Sequence, residues 1–332
     1  MPTTDVDPDV AQFPEDLPPV EPPSAGFILQ LFVVPGLIVL AIVAVWALFG
    51  RLANSEQDWK GLLVELQHPN EHRRWRGALG LAQLLKADQN LVGSSEPLSR
   101  NREIAQALSD VLTTEIHRAS QIEEDLKYQA FLARTLGLFD LPDVVIPALK
   151  QAMQPGIDRE IRKNAIGSIA VIAHRFAEEK NPLAFSMLSV ELLKVSQDED
   201  PLIRQLCAFT LGLFPDADAR SRLEVLLEDS DFDTRINSAI ALARQGDARG
   251  TKVFEDVLRG ASVPQDAATA VEYEQFSALK NCIAAIEQLA KKFDSEQRHE
   301  LTLLLEPIAA DYREPKIRLA AKTAVSVLRD TP

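Results

Sequence analysis

The sequence predicts an all-α chain: an α-solenoid of about seven helix pairs, preceded by a single transmembrane helix. Three observations predict it. A helical unit recurs, most plainly as the tetrapeptide Leu-Gly-Leu-Phe at 136–139 and again at 211–214, each time just after a Thr (Thr135, Thr210). Glycines number 14 in 332 residues and aromatics make up 6%, which is sparse for a β-rich fold. A single long uncharged run, residues 27–50, stands near the N-terminal end.

Residues 1–26 hold seven prolines and six acids (Asp5, Asp7, Asp9, Glu15, Asp16, Glu21) and neither Lys nor Arg. Such a segment cannot bury a core and is expected to be an extended, disordered tail. Residues 27–50 read FILQLFVVPGLIVLAIVAVWALFG, with Gln30 the only strongly polar side chain. As a helix this run spans about 36 Å, against a hydrocarbon core of about 30 Å. Pro35-Gly36 would kink it, which a membrane helix tolerates, and Trp46 falls where an interfacial aromatic belongs. A buried core helix and a cleaved signal peptide are the alternatives. Soluble core helices rarely run this long without a charge. A signal peptide would open on basic residues and carry an apolar run of about 7–15.

A short linker, 51–55, follows. No basic residue precedes the span, whereas Arg51, Lys60, Arg73, Arg74 and Arg76 come soon after it. The positive-inside rule then expects a single-pass membrane protein, with lipid contacts through 27–50, the short tail outside and the C-terminal mass cytoplasmic.

From 56 to 330 the apolar residues repeat at helical spacing, and Pro, Asp and Gly punctuate them. The predicted pairs are 56–67 with 70–86, 101–118 with 121–139, 143–153 with 158–178, and 182–196 with 201–213. Then come 217–228 with 232–245, 248–259 with 266–292, and 295–310 with 315–329. A long polar loop at 87–100 parts the first two pairs. The second helices align on Arg74, Gln129, Arg162, Arg204, Arg235 and Arg318. Four residues on stand Ala78, Ala133, Ile166, Ala208, Ala239 and Lys322. Seven on stand Leu81, Leu136, Ile169, Leu211, Leu242 and Val325. Offsets of four and seven share one helix face. A unit this small cannot cover that face alone, so the units must stack.

This pattern resembles the HEAT repeat family. It is carried best by 198–204 (Asp-Glu-Asp-Pro-Leu-Ile-Arg) with Leu211-Gly212, and by 229–235 (Asp-Ser-Asp-Phe-Asp-Thr-Arg) with Ala239 and Leu242. The resemblance spans roughly 56–329. It implies a hydrogen-bonded ladder between adjacent repeats, built from a turn Asp and an Arg six residues on. Asp198 with Arg204, and Asp229 with Arg235, match it. His68, Gly156 and Tyr312 replace the Asp before Arg74, Arg162 and Arg318, so the ladder is expected in repeats four and five only. The resemblance is specific for fold and nearly silent on function.

Net charge is −14, which disfavours nucleic acid as a partner. Cys207 and Cys282 lie in apolar helical stretches and are expected to be buried free thiols. Residues 68–72, His-Pro-Asn-Glu-His, match the inverted zinc-protease spacing, but that chemistry needs both His on one continuous helix, and Pro69-Asn70 belongs to a turn. No metal, cofactor or catalytic residue is therefore expected.

The basic cluster Arg73, Arg74, Trp75 and Arg76 has two readings. Arg74 is the repeat arginine and Trp75 packs in the first repeat, or the four meet an anionic membrane surface. The expected function is a membrane-anchored scaffold that presents a concave helical surface to a protein partner. The alternative is a HEAT-like lyase of the phycobilisome-lyase type, or another enzyme-associated subunit, because some proteins with such repeats act on bilin chromophores.

Overall fold

The computed structural model describes residues 25–53, 59–89, 97–178, 186–214, 216–261 and 271–331. The chain divides into two compact units, residues 1–58 and 59–332. In the first, α1 (Ala25–Ala53) is a 29-residue helix with Pro35 inside it. It begins before the predicted span and runs past it, so that 51–53 of the expected linker are helical. The 18 residues Leu29–Trp46 have a mean hydropathy of 2.5 and none is buried. By length and composition α1 can cross a membrane. The expected tail, up to residue 24, and residues 54–58 lie outside the described residues.

The second unit is helical throughout its described residues, with no strand among them. Its first pairs are α2 (Trp59–Leu66) with α3 (Glu71–Gln89), α4 (Arg102–His117) with α5 (Glu123–Leu136), and α6 (Pro142–Ala152) with α7 (Arg159–Glu178). Next come α8 (Ser186–Val195) with α9 (Pro201–Leu211), and α10 (Ala217–Leu226) with α11 (Phe232–Arg244). The last are α12 (Thr251–Ala261) with α13 (Val271–Leu289), and α14 (Ser295–Asp311) with α15 (Pro315–Asp330).

One departure from the expected boundaries has a clear cause. Helix α3 continues into the predicted 87–100 loop as far as Gln89, and a 3-10 turn forms at Leu98–Arg100. The buried Asp88 carboxylate fixes both, accepting the Leu98 N–H at 2.7 Å. The rest of that loop lies outside the described residues. Helix α13 is described from Val271 and ends in a 3-10 turn at Ala290–Lys292; its expected start at 266 falls in 262–270, outside the described residues.

The pairs stack in two layers. The second helices form one row, with α5 on α7, α7 on α9, α9 on α11, α11 on α13 and α13 on α15. First helices pack likewise, α4 on α6, α8 on α10 and α12 on α14. The core lies between the layers. Ala78, Ala133, Ile166, Ala208 and Ala239 are fully buried, and so are Leu81, Leu136, Ile169, Leu211 and Leu242. Each large side chain buried this way contributes about 1.5–3 kcal/mol. Lys322 is the exception in the register and is exposed, because no described helix follows α15 to cover it.

The repeated tetrapeptide now has a physical role. A Cβ on Gly137 would sit 2.7 Å from Ser168 Oγ, and one on Gly212 would sit 2.5 Å from the Cβ of Ala241. Both glycines therefore admit the second helix of the next repeat. The following Phe139 and Phe214 are fully buried. The preceding Thr135 and Thr210 donate their hydroxyls back to Phe131 (2.9 Å) and Leu206 (2.6 Å), four residues earlier. Cys207 and Cys282 are buried and unpaired, and burial pushes both thiols up to about 12.

Candidate functional site

The turns that open α9 and α11 share an Asp-x-Asp arrangement, Asp198 with Asp200 and Asp229 with Asp231. In each turn the second acid caps its helix. Asp200 accepts the Leu202 N–H at 3.0 Å, and Asp231 accepts the Thr234 N–H at 2.8 Å. The first acid closes the turn, taking the N–H two residues on at 2.9 Å in both cases. Its carboxylate then serves the preceding repeat. Arg204 on α9 donates Nε and Nη2 to Asp229, each at 2.8 Å. Arg162 on α7 donates Nη2 to Asp198. A second rung runs beside each. Arg159 donates Nε to Asp200 at 2.6 Å, and Gln205 donates Nε2 to Asp231 at 3.0 Å.

The repeat arginines also hold their own turns. Arg204 Nη1 reaches the carbonyls of Asp198 (3.0 Å) and Glu199 (2.9 Å). Arg235 does the same to Asp229 and Ser230, and Arg318 to Tyr312 and Arg313. This corrects the expected limits of the ladder. Arg204, Arg235 and Arg318 tie their own turns through backbone carbonyls whatever residue stands there, and the Asp of the next repeat takes both fork nitrogens of Arg204 and Nη2 of Arg162, whose Nε bonds the Met153 carbonyl. Arg162 therefore takes part although Gly156 occupies its own turn. Gln129, at the same register on α5, is buried, and its Nε2 finds no acceptor among the described residues, so no such rung joins α5 to α7.

Electrostatics follow this geometry. Burial pushes the Asp229 carboxyl up, but the Arg204 hydrogen bonds, the Asp231 amide and the charges of Arg204 and Arg222 outweigh it and hold the group below its ordinary value. Asp198 is held down in the same way by Arg162 and the Asp200 amide. The guanidinium of Arg204 is raised, chiefly by its bonds to Asp229.

The basic cluster is tied into the fold. Arg73 and Arg76 both grip Glu65, through Arg73 Nε at 2.9 Å and Arg76 Nη2 at 2.6 Å, and these bonds lower the Glu65 carboxyl to about 2. Arg74 donates to the Pro69 carbonyl at 3.2 Å and lies 5.9 Å over the Tyr128 ring. Trp75 packs 5.1 Å from Tyr128 and 5.5 Å from Phe131, centroid to centroid. His68 and His72 are parted by the turn before α3, where His68 Nδ1 accepts the Asn70 N–H at 3.0 Å. Among the described residues no group of three or more His, Cys, Asp or Glu could hold a metal ion.

The outward face of the second-helix row carries a feature that the repeat register did not single out. Phe209 on α9 is 39% exposed, and the Arg244 guanidinium on α11 lies 4.7 Å over its ring. Val171, on the neighbouring α7, is 48% exposed. The signal was available: Phe209 stands five residues after Arg204, off the buried face set by the offsets of four and seven.

Residues 189–273 match the family model for HEAT repeats. Among solved structures, a designed armadillo repeat protein in complex with the peptide (KR)4 is 15% identical with a TM-score of 0.42, covering 82% of this chain and 99% of that one. Another designed armadillo repeat protein is 18% identical with a TM-score of 0.39, covering 75% and 99%. A chain from the structure of Kap95p with RanGDP is 10% identical with a TM-score of 0.47, covering 86% and 38%. No curated protein matches the chain.

Proposed function

We propose that this HEAT-repeat protein is a membrane-anchored scaffold, held by α1 and offering the outward face of its second-helix row to a protein partner. One observation carries the reading: a single chain joins an 18-residue apolar helix window with no buried residue to a stacked helical array. Uncovered apolar surface of that length finds its cover in lipid. An array that stacks by neighbour contacts leaves a long continuous face for recognition.

The basic residues that follow the span favour the array on the cytoplasmic side, with the short N-terminal segment across the membrane. Arg73 and Arg76 have side chains 42% and 67% exposed, and they are the members of their cluster proposed to meet anionic headgroups. Arg74 and Trp75 form the packed base beneath them. Asp198, Arg204 and Asp229 serve the array itself by fixing the stagger of successive repeats, and Arg235 holds the turn that opens α11. A net charge of −14 argues for a protein partner over nucleic acid. No reaction is assigned.

Fractionation of the full chain beside a chain that begins at Asn54 tests the anchor. The full chain should stay with membranes through a high-salt wash, and the shorter one should be soluble and helical by circular dichroism. A shorter chain that still sediments after the wash overturns the anchor assignment. Crosslinking in intact membranes, read by mass spectrometry, tests the scaffold. Discrete protein adducts on the second-helix row are expected, and adducts confined to lipid would count against it.

A further inference from the structure

We propose that the exposed step formed by Phe209 and Arg244 is where the partner docks, and that the partner presents there a carboxylate flanked by an apolar side chain. The inference rests on the scaffold reading above and names its surface and chemistry.

Several other arginines of the array pair with carboxylates. Arg162 bonds Asp198, Arg204 bonds Asp229, and Arg249 bonds both Asp247 and Glu224. Arg235 and Arg318 meet no carboxylate among the described residues but bond the carbonyls of their own turns, and Arg244 does neither. Among the described residues it pairs with no carboxylate, and its contact is the Phe209 ring. Scarcity of acids does not explain this, since the chain has 49 Asp and Glu against 35 Lys and Arg. Burial pushes the Arg244 guanidinium below its ordinary range, and no neighbouring acid offsets that. A guanidinium resting on an aromatic ring keeps its N–H groups for other acceptors, and its planar fork suits a carboxylate.

The surroundings supply the apolar half. Phe209 and Val171 expose large apolar surfaces on adjacent helices. A single exposed apolar side chain is ordinary. Two of them, one beneath a partly desolvated cation without a carboxylate, make the features found at interface centres. The charge of the row points the same way. Arg134 on α5 and Lys280 on α13 are exposed, and among the described residues neither pairs with a carboxylate. Such cations without a carboxylate, beside Arg244, complement an acidic peptide.

The test selects ligands from a random phage-displayed dodecapeptide library against the full chain in lipid nanodiscs. Binding of the enriched peptides is then measured by fluorescence polarisation. The expected peptides carry Asp or Glu next to a large apolar residue. Arg244→Glu should weaken them at least tenfold, Val171→Glu several-fold, and Arg244→Lys much less. Circular-dichroism melting of each variant accompanies the binding. If Arg244→Glu melts early, Val171→Glu, at an exposed site, decides. Enriched peptides that lack acids, or that bind Arg244→Glu and Val171→Glu unchanged, overturn this inference and leave the scaffold reading standing. A library that yields no peptide overturns both.

Discussion

Arg204 and Asp229 are joined by two parallel hydrogen bonds of 2.8 Å that cross from one repeat to the next. Both side chains are largely covered, at 13% and 10% exposure. The same arginine caps the two carbonyls of its own turn. One residue thereby fixes both the fold of a turn and the stagger of the following repeat, which a simple surface ion pair would not do. Asp229 is shared in the same sense, since its Oδ1 also closes the turn that begins α11.

Arg204→Ala should therefore destabilise the array more than Arg318→Ala. The first change strands a covered carboxylate and frees two carbonyls, at a cost of about 2–3 kcal/mol. The second frees only the carbonyls of Tyr312 and Arg313, costing about 1 kcal/mol. Adding Asp229→Ala to the first variant should recover part of its loss. Thermal melting of the three variants checks this, and equal shifts for the two single changes would count against the shared role of Arg204.

The helix pairs were legible because their signal is local. Offsets of four and seven from each register residue marked positions that turn out fully buried from Ala78 to Leu242. The turns were legible for the same reason, since Pro, Asp and Gly punctuate the helical runs; that Asp200 and Asp231 cap α9 and α11 is seen in the structure. The rungs were only half legible. Arg162 and Asp198 stand 36 positions apart, and Arg204 and Asp229 stand 25 apart. That interval varies with loop length, so which arginine meets which acid is decided by stacking. The Phe209–Arg244 step was hidden in the same way, being a contact between two repeats whose residues occupy different register positions.

The two glycines of α3 should separate backbone crowding from side-chain crowding. A Cβ on Gly77 would stand 2.5 Å from the Leu66 backbone nitrogen, whereas one on Gly80 would meet the end of the Leu62 side chain at 2.7 Å. Backbone cannot yield as a leucine rotamer can. Gly77→Ala should cost about 1–3 kcal/mol from overpacking. Gly80→Ala should be close to neutral, since the gain in helix propensity of up to about 1 kcal/mol offsets the rearrangement of Leu62. Melting temperatures of the two variants decide, and the reverse order would mean that α2 and α3 can slide apart.

Trp75 and Arg76 are neighbours with opposite expected behaviour. Trp75 packs on Tyr128 and Phe131 across the first two repeats, so Trp75→Ala should remove about 2 kcal/mol of stability, less than for a fully buried tryptophan. Arg76 is an exposed partner of Glu65, and Arg76→Ala should change stability by no more than about 0.5 kcal/mol. The anionic-surface role proposed for Arg76 predicts a separate readout. Arg76→Ala should lower affinity for vesicles containing phosphatidylserine while melting stays unchanged. Unaltered vesicle binding in a variant that also lacks Arg73 would confine both arginines to holding Glu65.

Acid should loosen the array from its turns. The carboxyls of Asp198, Asp200, Asp229 and Asp231 all lie below their ordinary values, and Glu65 lies at about 2. A depressed folded-state value means stability that is fully present above the unfolded value, about 3.9 for Asp and 4.3 for Glu, and is lost as pH falls through the folded one. Glu255 works against this trend, because burial and then Glu300 hold its carboxyl up. Lys127 holds the Glu123 carboxyl down and Arg249 that of Asp247, which makes one group against seven, so melting temperature should stay level from pH 7 to about 5 and fall from about pH 4 downward. Asp229→Asn removes one of the depressed groups. Its melting temperature should be lower than the parent's at pH 7, and its decline toward pH 3 shallower, so that the two curves converge. Parallel curves would show that the Arg204–Asp229 pair does not contribute to the acid response.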